Sequence, residues 1–153
     1  MKEIESVLIV DFGSQFTQLI ARRLRENQVY CEIISYNKVE EAIKKLNPRA
    51  LILSGGPASV LINETPELPI KIFDSGLPIL GICYGMQLMC SQLGGKVIHS
   101  ESREFGRAKI QAIKSTKLFT NLWTPNDLDD VWMSHGDRVE SLPDGFEVFA
   151  KSD

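Results

Sequence analysis

The sequence predicts an α/β fold: a mostly parallel sheet with helices on both faces, then a short antiparallel strand region after residue 95. Three observations carry this. Short strand-like runs recur along the first half, led by the β-branched apolar Val7-Leu8-Ile9-Val10, the mark of a strand buried on both faces. Segments with helical spacing separate them, so the chain reads as right-handed βαβ units. Past residue 95 the helical spacing stops and only shorter strand-like stretches remain.

The elements follow in order. After Val7–Val10, the apolar residues Phe16, Leu19, Ile20 and Leu24 predict a helix over 16–26. Tyr30–Ser35 is the second strand. Val39–Leu46 is a short amphipathic helix that Asn47-Pro48 must end, because proline disfavours helical backbone before it. Ala50–Leu53 is the third strand, broken by Gly55-Gly56-Pro57. A short helix over 70–73 precedes Gly76, and Ile79–Ile82 is the fourth strand. Tyr84–Leu93 is a helix closed by Gly94-Gly95. The later strands are expected at 96–100, 108–113, 130–133 and 146–150. With 153 residues and no linker or repeat, the chain reads as one domain over 1–153.

Composition removes several classes of function. A hydrophobic content of 43% beside 24% charged residues is ordinary for a globular domain. The net charge of −3 gives no basic footprint for nucleic acid or an anionic membrane, and Arg22-Arg23 reads as a solvated helix face. No apolar run approaches the ~18–20 residues that span a bilayer, and Met1–Glu5 holds no signal-peptide core. Three cysteines without metal-type spacing predict reduced thiols, no metal site and a cytoplasmic location.

Cys83 is the residue with the most chemistry in it. Gly81-Ile82-Cys83-Tyr84-Gly85 places a cysteine between a strand and a helix, with glycines two positions to either side. That is the nucleophile-elbow pattern, in which glycine lets strand and helix approach closely. The helix N-terminus would favour an anion at the sulfur; a small buried cysteine on a βα turn is the alternative. Ligands on such sheets bind at the carboxyl ends of the strands. Two further segments fall there: Asp11-Phe12-Gly13-Ser14-Gln15 and Ser54-Gly55-Gly56-Pro57. The second is either a plain turn or, with the Tyr84 N–H, an oxyanion hole. Asp11-Phe12-Gly13 matches a kinase tripeptide, but no kinase lobe precedes it; Asp11 reads as an end-of-strand residue that holds loops together. A cysteine nucleophile needs a base, and only His99 and His135 exist. His99 reads as a surface histidine and His135 as a loop or pocket residue after a strand.

Taken together, these segments resemble the class I, triad-type glutamine amidotransferases, on a flavodoxin-like sheet. Gly81–Gln87 and Ser54–Pro57 carry the resemblance. Asp11–Arg23, Arg103-Glu104-Phe105-Gly106 and Trp132–Asp137 narrow it to the glutaminase domains of GMP synthetases. Sister glutaminases more often have leucine where Tyr84 stands, and they lack the opening run. The motifs keep their order over essentially the whole chain.

The resemblance implies that Cys83 attacks the carboxamide of glutamine and forms a γ-glutamyl thioester. The Gly56 and Tyr84 backbone N–H groups would hold the oxyanion. Gln87 would help to hold glutamine, with Ser134, His135, Gly136 and Asp137 bordering the same pocket. Ammonia would pass to an ATP-pyrophosphatase synthetase domain, in the same chain or on a separate one, which makes GMP from XMP. ATP and magnesium are expected only there, and no cofactor in this domain. The family's catalytic His and Glu lie in a His-Pro-Glu segment that this sequence lacks. The domain is therefore expected to be incomplete at its C-terminus and nearly inactive alone. The alternative is a truncated, non-catalytic homologue serving as a binding or regulatory module.

Overall fold

The computed structural model describes residues 5–152, apart from the side chains of residues 101–105, 134 and 135. It forms two compact units, Met1–Leu93 and Gly94–Asp153. The boundary coincides with the change of rhythm in the sequence.

The first unit carries β1 (Ser6–Asp11), α1 (Thr17–Glu26), β2 (Tyr30–Ser35), α2 (Val39–Leu46), β3 (Ala50–Leu53), β4 (Ile79–Gly81) and α3 (Tyr84–Gln92). The strands lie in the order β2-β1-β3-β4, all parallel. Successive side chains on a strand point to opposite faces, and the two cores follow that parity. Leu8, Val10, Leu51 and Leu53 face one side, beneath Val39 and Ala42 of α2 and Tyr84 and Leu88 of α3. Ile9 and Ile52 face the other, with Ala21 of α1 and Cys31. Helices therefore cover both faces, as the continuous apolar strands require. A buried leucine or isoleucine contributes about 1.5–3 kcal/mol relative to an exposed one, so this double burial dominates the stability of the unit.

Helix ends follow their sequence signals. Asn47 closes α2 in the left-handed conformation, one residue before Pro48. Gly94, at φ +94°, lies just beyond α3. The expected helix over 70–73 is a single 3-10 turn, Ile70–Ile72. The chain leaves β1 toward β2 on one side, then returns to β3 on the other. That reversal puts the carboxyl ends of β1 and β3 side by side at the switch point of the sheet.

The second unit carries β5 (Lys96–Ala112), β6 (Leu128–Ser141) and β7 (Ala150–Ser152), antiparallel in the order β6-β5-β7. Three expectations change here. The separate strands at 96–100 and 108–113 are one long strand, whose ladder is interrupted between His99 and Glu104. The segment 134–137 is not a loop but the middle of β6, because its backbone pairs with 99–105 of β5. Residues 146–149 are not a strand. The turn at Pro143–Phe146 leads into them, and the Phe149 carbonyl accepts from the Ile113 and Lys114 N–H groups at 2.7 and 3.3 Å. Cross-strand hydrogen bonding overrides the local loop signals of serine and glycine. Among the described residues, no helix is long and apolar enough to cross a membrane.

Replacing Leu53, fully buried, by alanine should lower stability by about 2–5 kcal/mol in urea denaturation. The same change at Leu122, 62% exposed, should stay within about 0.5 kcal/mol.

Candidate active site

The elbow is held by the end of β3. The Ile82 N–H donates to the Leu53 carbonyl at 2.9 Å, and the Gly85 N–H donates to the Ser54 carbonyl at 3.0 Å. Between these anchors Cys83 has φ 51° and ψ −116°, a sparsely populated conformation for a residue with a side chain. Such backbone costs on the order of 1–3 kcal/mol and persists only where its surroundings over-determine it. The two glycines are required by space. A Cβ on Gly81 would lie 2.6 Å from the Met86 Cα, and one on Gly85 would collide with the Leu53 carbonyl.

The first turn of α3 leaves one amide over. The Gly85 N–H donates to the carbonyls of Ser54 and Ile82, and the N–H groups of Met86 and Gln87 donate to the Cys83 carbonyl. Among the described residues, no backbone carbonyl accepts from the N–H of Tyr84, the first helical residue, as helix geometry dictates. Its side chain is only 2% exposed, and its hydroxyl donates to the Pro66 carbonyl at 2.6 Å. Burial pushes the Tyr84 phenol up. Cys83 is exposed, whereas Cys31 and Cys90 are buried. Burial also pushes the Cys90 thiol up, which reduces its thiolate at neutral pH.

The other two strand-end loops close on this elbow. A Cβ built on Gly55 would lie 3.5 Å from the Cys83 Cβ and 3.3 Å from the Ser14 Oγ. One on Gly56 would lie 2.7 Å from the Phe12 carbonyl oxygen. Asp11 ties the first loop together: its Oδ1 accepts from the Gly13 N–H at 3.0 Å, the Ser14 N–H at 3.3 Å and the Thr17 hydroxyl at 2.7 Å. The expected loop-holding role of Asp11 is thus what its hydrogen bonds describe. Phe12 is buried, with its ring 5.2 Å from that of Tyr84 and 5.9 Å from that of Tyr36. Thr17 and Ser54, both buried, bring their hydroxyl oxygens to 3.0 Å.

The first unit therefore brings Cys83, Tyr84 and the Gly55-Gly56 turn together. Gln87 is buried one turn into α3 and has a partner within the protein. Ser134, His135, Gly136 and Asp137 belong to the second unit, on β6. The side chains of Ser134 and His135 lie outside the described residues. Asp137 binds His99 across the strands, with Oδ1 2.9 Å from Nδ1, and the imidazole is exposed. Among the described residues, no cluster of three or more metal-capable side chains occurs. Sequence reasoning passed over Thr17 and the Ser54 hydroxyl. Their only signal was position, one opening a helix and the other ending a strand beside the first loop.

An exposed cysteine on a strained elbow, with a spare amide N–H and a glycine turn beside it, defines a thiol site suited to acyl transfer on a parallel α/β sheet. Residues 8–153 match the family model for glutamine amidotransferase class-I, and the chain belongs to that family. A glutamine-hydrolysing GMP synthase from Rhizobium etli is 60% identical over 148 residues, 97% of this chain. The chain spans 28% of the length of that relative. A solved structure from Thermoplasma acidophilum, described as one of the subunits of a GMP synthase, matches with a TM-score of 0.82 at 29% identity, covering 99% of this chain and 75% of that one. A glutamine amidotransferase from Thermotoga maritima shares the fold, with a TM-score of 0.69 at 22% identity over 92% of this chain and 64% of that one.

Gly85→Ala should break the elbow, since the added carbon meets backbone rather than a movable side chain. The expected cost is about 1–3 kcal/mol or more in denaturant unfolding, together with slower alkylation of Cys83 in the folded fraction.

Proposed function

We propose that this chain is the glutamine-hydrolysing, ammonia-supplying part of a GMP synthase. The observation that carries the reading is the exposed Cys83 on its elbow, with the Tyr84 N–H and the Gly55-Gly56 turn beside it. The 60% identity to a glutamine-hydrolysing GMP synthase supports the choice of synthase.

The chemistry follows from those groups. The Cys83 sulfur adds to the side-chain carboxamide carbon of glutamine, and the Gly56 and Tyr84 N–H groups stabilise the tetrahedral oxyanion. The C–N bond then breaks; nitrogen leaves as ammonia after gaining a proton, and the γ-glutamyl thioester remains. Water attacks the thioester, releases glutamate and restores the thiol. Gln87, one turn into α3 from the nucleophile, helps to hold the substrate glutamine. Ammonia goes to an ATP-pyrophosphatase synthetase domain that binds ATP and magnesium and converts XMP to GMP.

The sequence holds two histidines, and neither lies in a His-Pro-Glu segment. A general acid–base typically contributes ~10²–10⁴-fold, and neither of these histidines is assigned that role, so residues 1–153 by themselves are expected to turn over glutamine slowly. Glutamate release at a rate ordinary for enzymes would overturn that expectation. The site itself is tested by mass spectrometry after treatment with a glutamine-mimicking electrophile. Cys83 should be labelled and buried Cys31 and Cys90 spared, with excess glutamine protecting. Equal labelling of all three, or no protection, would defeat the assignment and favour a binding or regulatory module.

A further inference from the structure

The proposed oxyanion donor at Gly56 lies on the peptide between two glycines, which have little intrinsic preference for one backbone orientation. Something must hold that peptide. The carbonyl oxygen of the same peptide belongs to Gly55, and it accepts a hydrogen bond from the Ser54 hydroxyl at 3.1 Å. The carbonyl and N–H of a trans planar peptide point in opposite directions. Whatever fixes the Gly55 oxygen therefore fixes the direction of the Gly56 hydrogen.

Ser54 is well placed to do so, because it cannot itself move. Its side chain is fully buried, its N–H donates to the Val10 carbonyl at 3.0 Å, and its carbonyl accepts from Gly85 in the elbow at 3.0 Å. Its hydroxyl is gripped from behind by Thr17, 3.0 Å away, which is anchored in turn by the Asp11 carboxylate at 2.7 Å. Thr17 has one hydroxyl proton, within reach of both the Asp11 carboxylate and the Ser54 oxygen; donated to Ser54, it leaves the Ser54 proton for the Gly55 carbonyl.

We propose that Ser54 is a positioning residue for acyl transfer: its hydroxyl, backed by Thr17, holds the Gly55 carbonyl inward so that the Gly56 N–H stays directed at the developing oxyanion. The inference rests on the glutaminase reading and deepens it. It assigns a task to a buried polar chain that packing does not need. A serine at the end of a buried strand could have been alanine without loss of shape, whereas its hydroxyl sits on a peptide whose orientation matters for the chemistry.

The test uses a substrate whose leaving group needs no general acid, the γ-(p-nitrophenyl) ester of glutamate. The Cys83 sulfur bonds to the ester carbonyl carbon, the C–O bond breaks, p-nitrophenolate leaves and the thiol proton passes to buffer. The burst of p-nitrophenolate reads the acylation step, which passes through the oxyanion. Alkylation of Cys83 by iodoacetamide proceeds at a saturated carbon and forms no oxyanion. Removing an oxyanion-hole donor outright costs ~10²–10³-fold, so Ser54→Ala, which only frees its orientation, should slow acylation about tenfold or more. The ester concentration at half-maximal rate and the iodoacetamide rate should both stay within about twofold of wild type. If Ser54→Ala does not fold, Thr17→Val should show a smaller loss of the same kind, and Thr17→Ser should retain the wild-type rate. Acylation by Ser54→Ala or Thr17→Val at the wild-type rate would overturn the proposal, as would an equal fall with both reagents. If wild type itself gives no burst beyond that of Cys83→Ala, the glutaminase reading fails, and this inference falls with it.

Discussion

The end of β3 is the fixed point on which the rest of the site depends. Backbone groups there are committed in more than one direction. The Leu53 carbonyl accepts from Ile82 and leaves no room for a Cβ on Gly85, and the Ser54 peptide reaches β1 through Val10 and α3 through Gly85. The nucleophile at Cys83 can hold its unfavourable backbone because these contacts leave the chain nowhere else to go. Sheet stability is thereby converted into local strain at one residue, and that residue is the reactive one.

The order β2-β1-β3-β4 explains why the loops meet where they do. Neighbouring parallel strands β1 and β3 end together, so Asp11 and Ser54 face each other across one strand spacing although they are far apart in sequence. The Asp11–Thr17 loop then serves two purposes. Its hydrogen bonds start α1, and its Phe12 carbonyl closes on Gly56 while the Phe12 ring packs on Tyr84. An Asp-Phe-Gly tripeptide that resembled a kinase element in isolation is here a clamp between the first strand and the nucleophile's helix.

The unit after residue 93 works by a different rule. Its strands are stabilised through cross-strand ladders and exposed ion pairs such as Arg107–Asp130 and Lys96–Glu140, with no parallel sheet to bury them on both faces. Exposed pairs of this kind contribute little, so pairing of the long β5 and β6 strands supplies most of the order. That is why serine, histidine and glycine at 134–136, residues with weak strand preference, lie inside a strand at all.

Much of the first unit was legible in the sequence, because its signals are local. Continuous apolar runs fix which strands are buried on both faces, Asn47 and Gly94 fix where helices end, and Gly81 and Gly85 around Cys83 fix the elbow. Each of these is a statement about a few adjacent residues and the space a side chain needs. What only the tertiary structure decided involves residues distant in sequence. The Thr17–Ser54 contact joins the start of α1 to the end of β3, the unbroken β5 and β6 depend on each other, and residues 146–149 follow a turn rather than forming a strand. Local spacing carries no record of such partners, and a hydrogen bond between distant residues forms only when the fold has brought them within about 3 Å of each other.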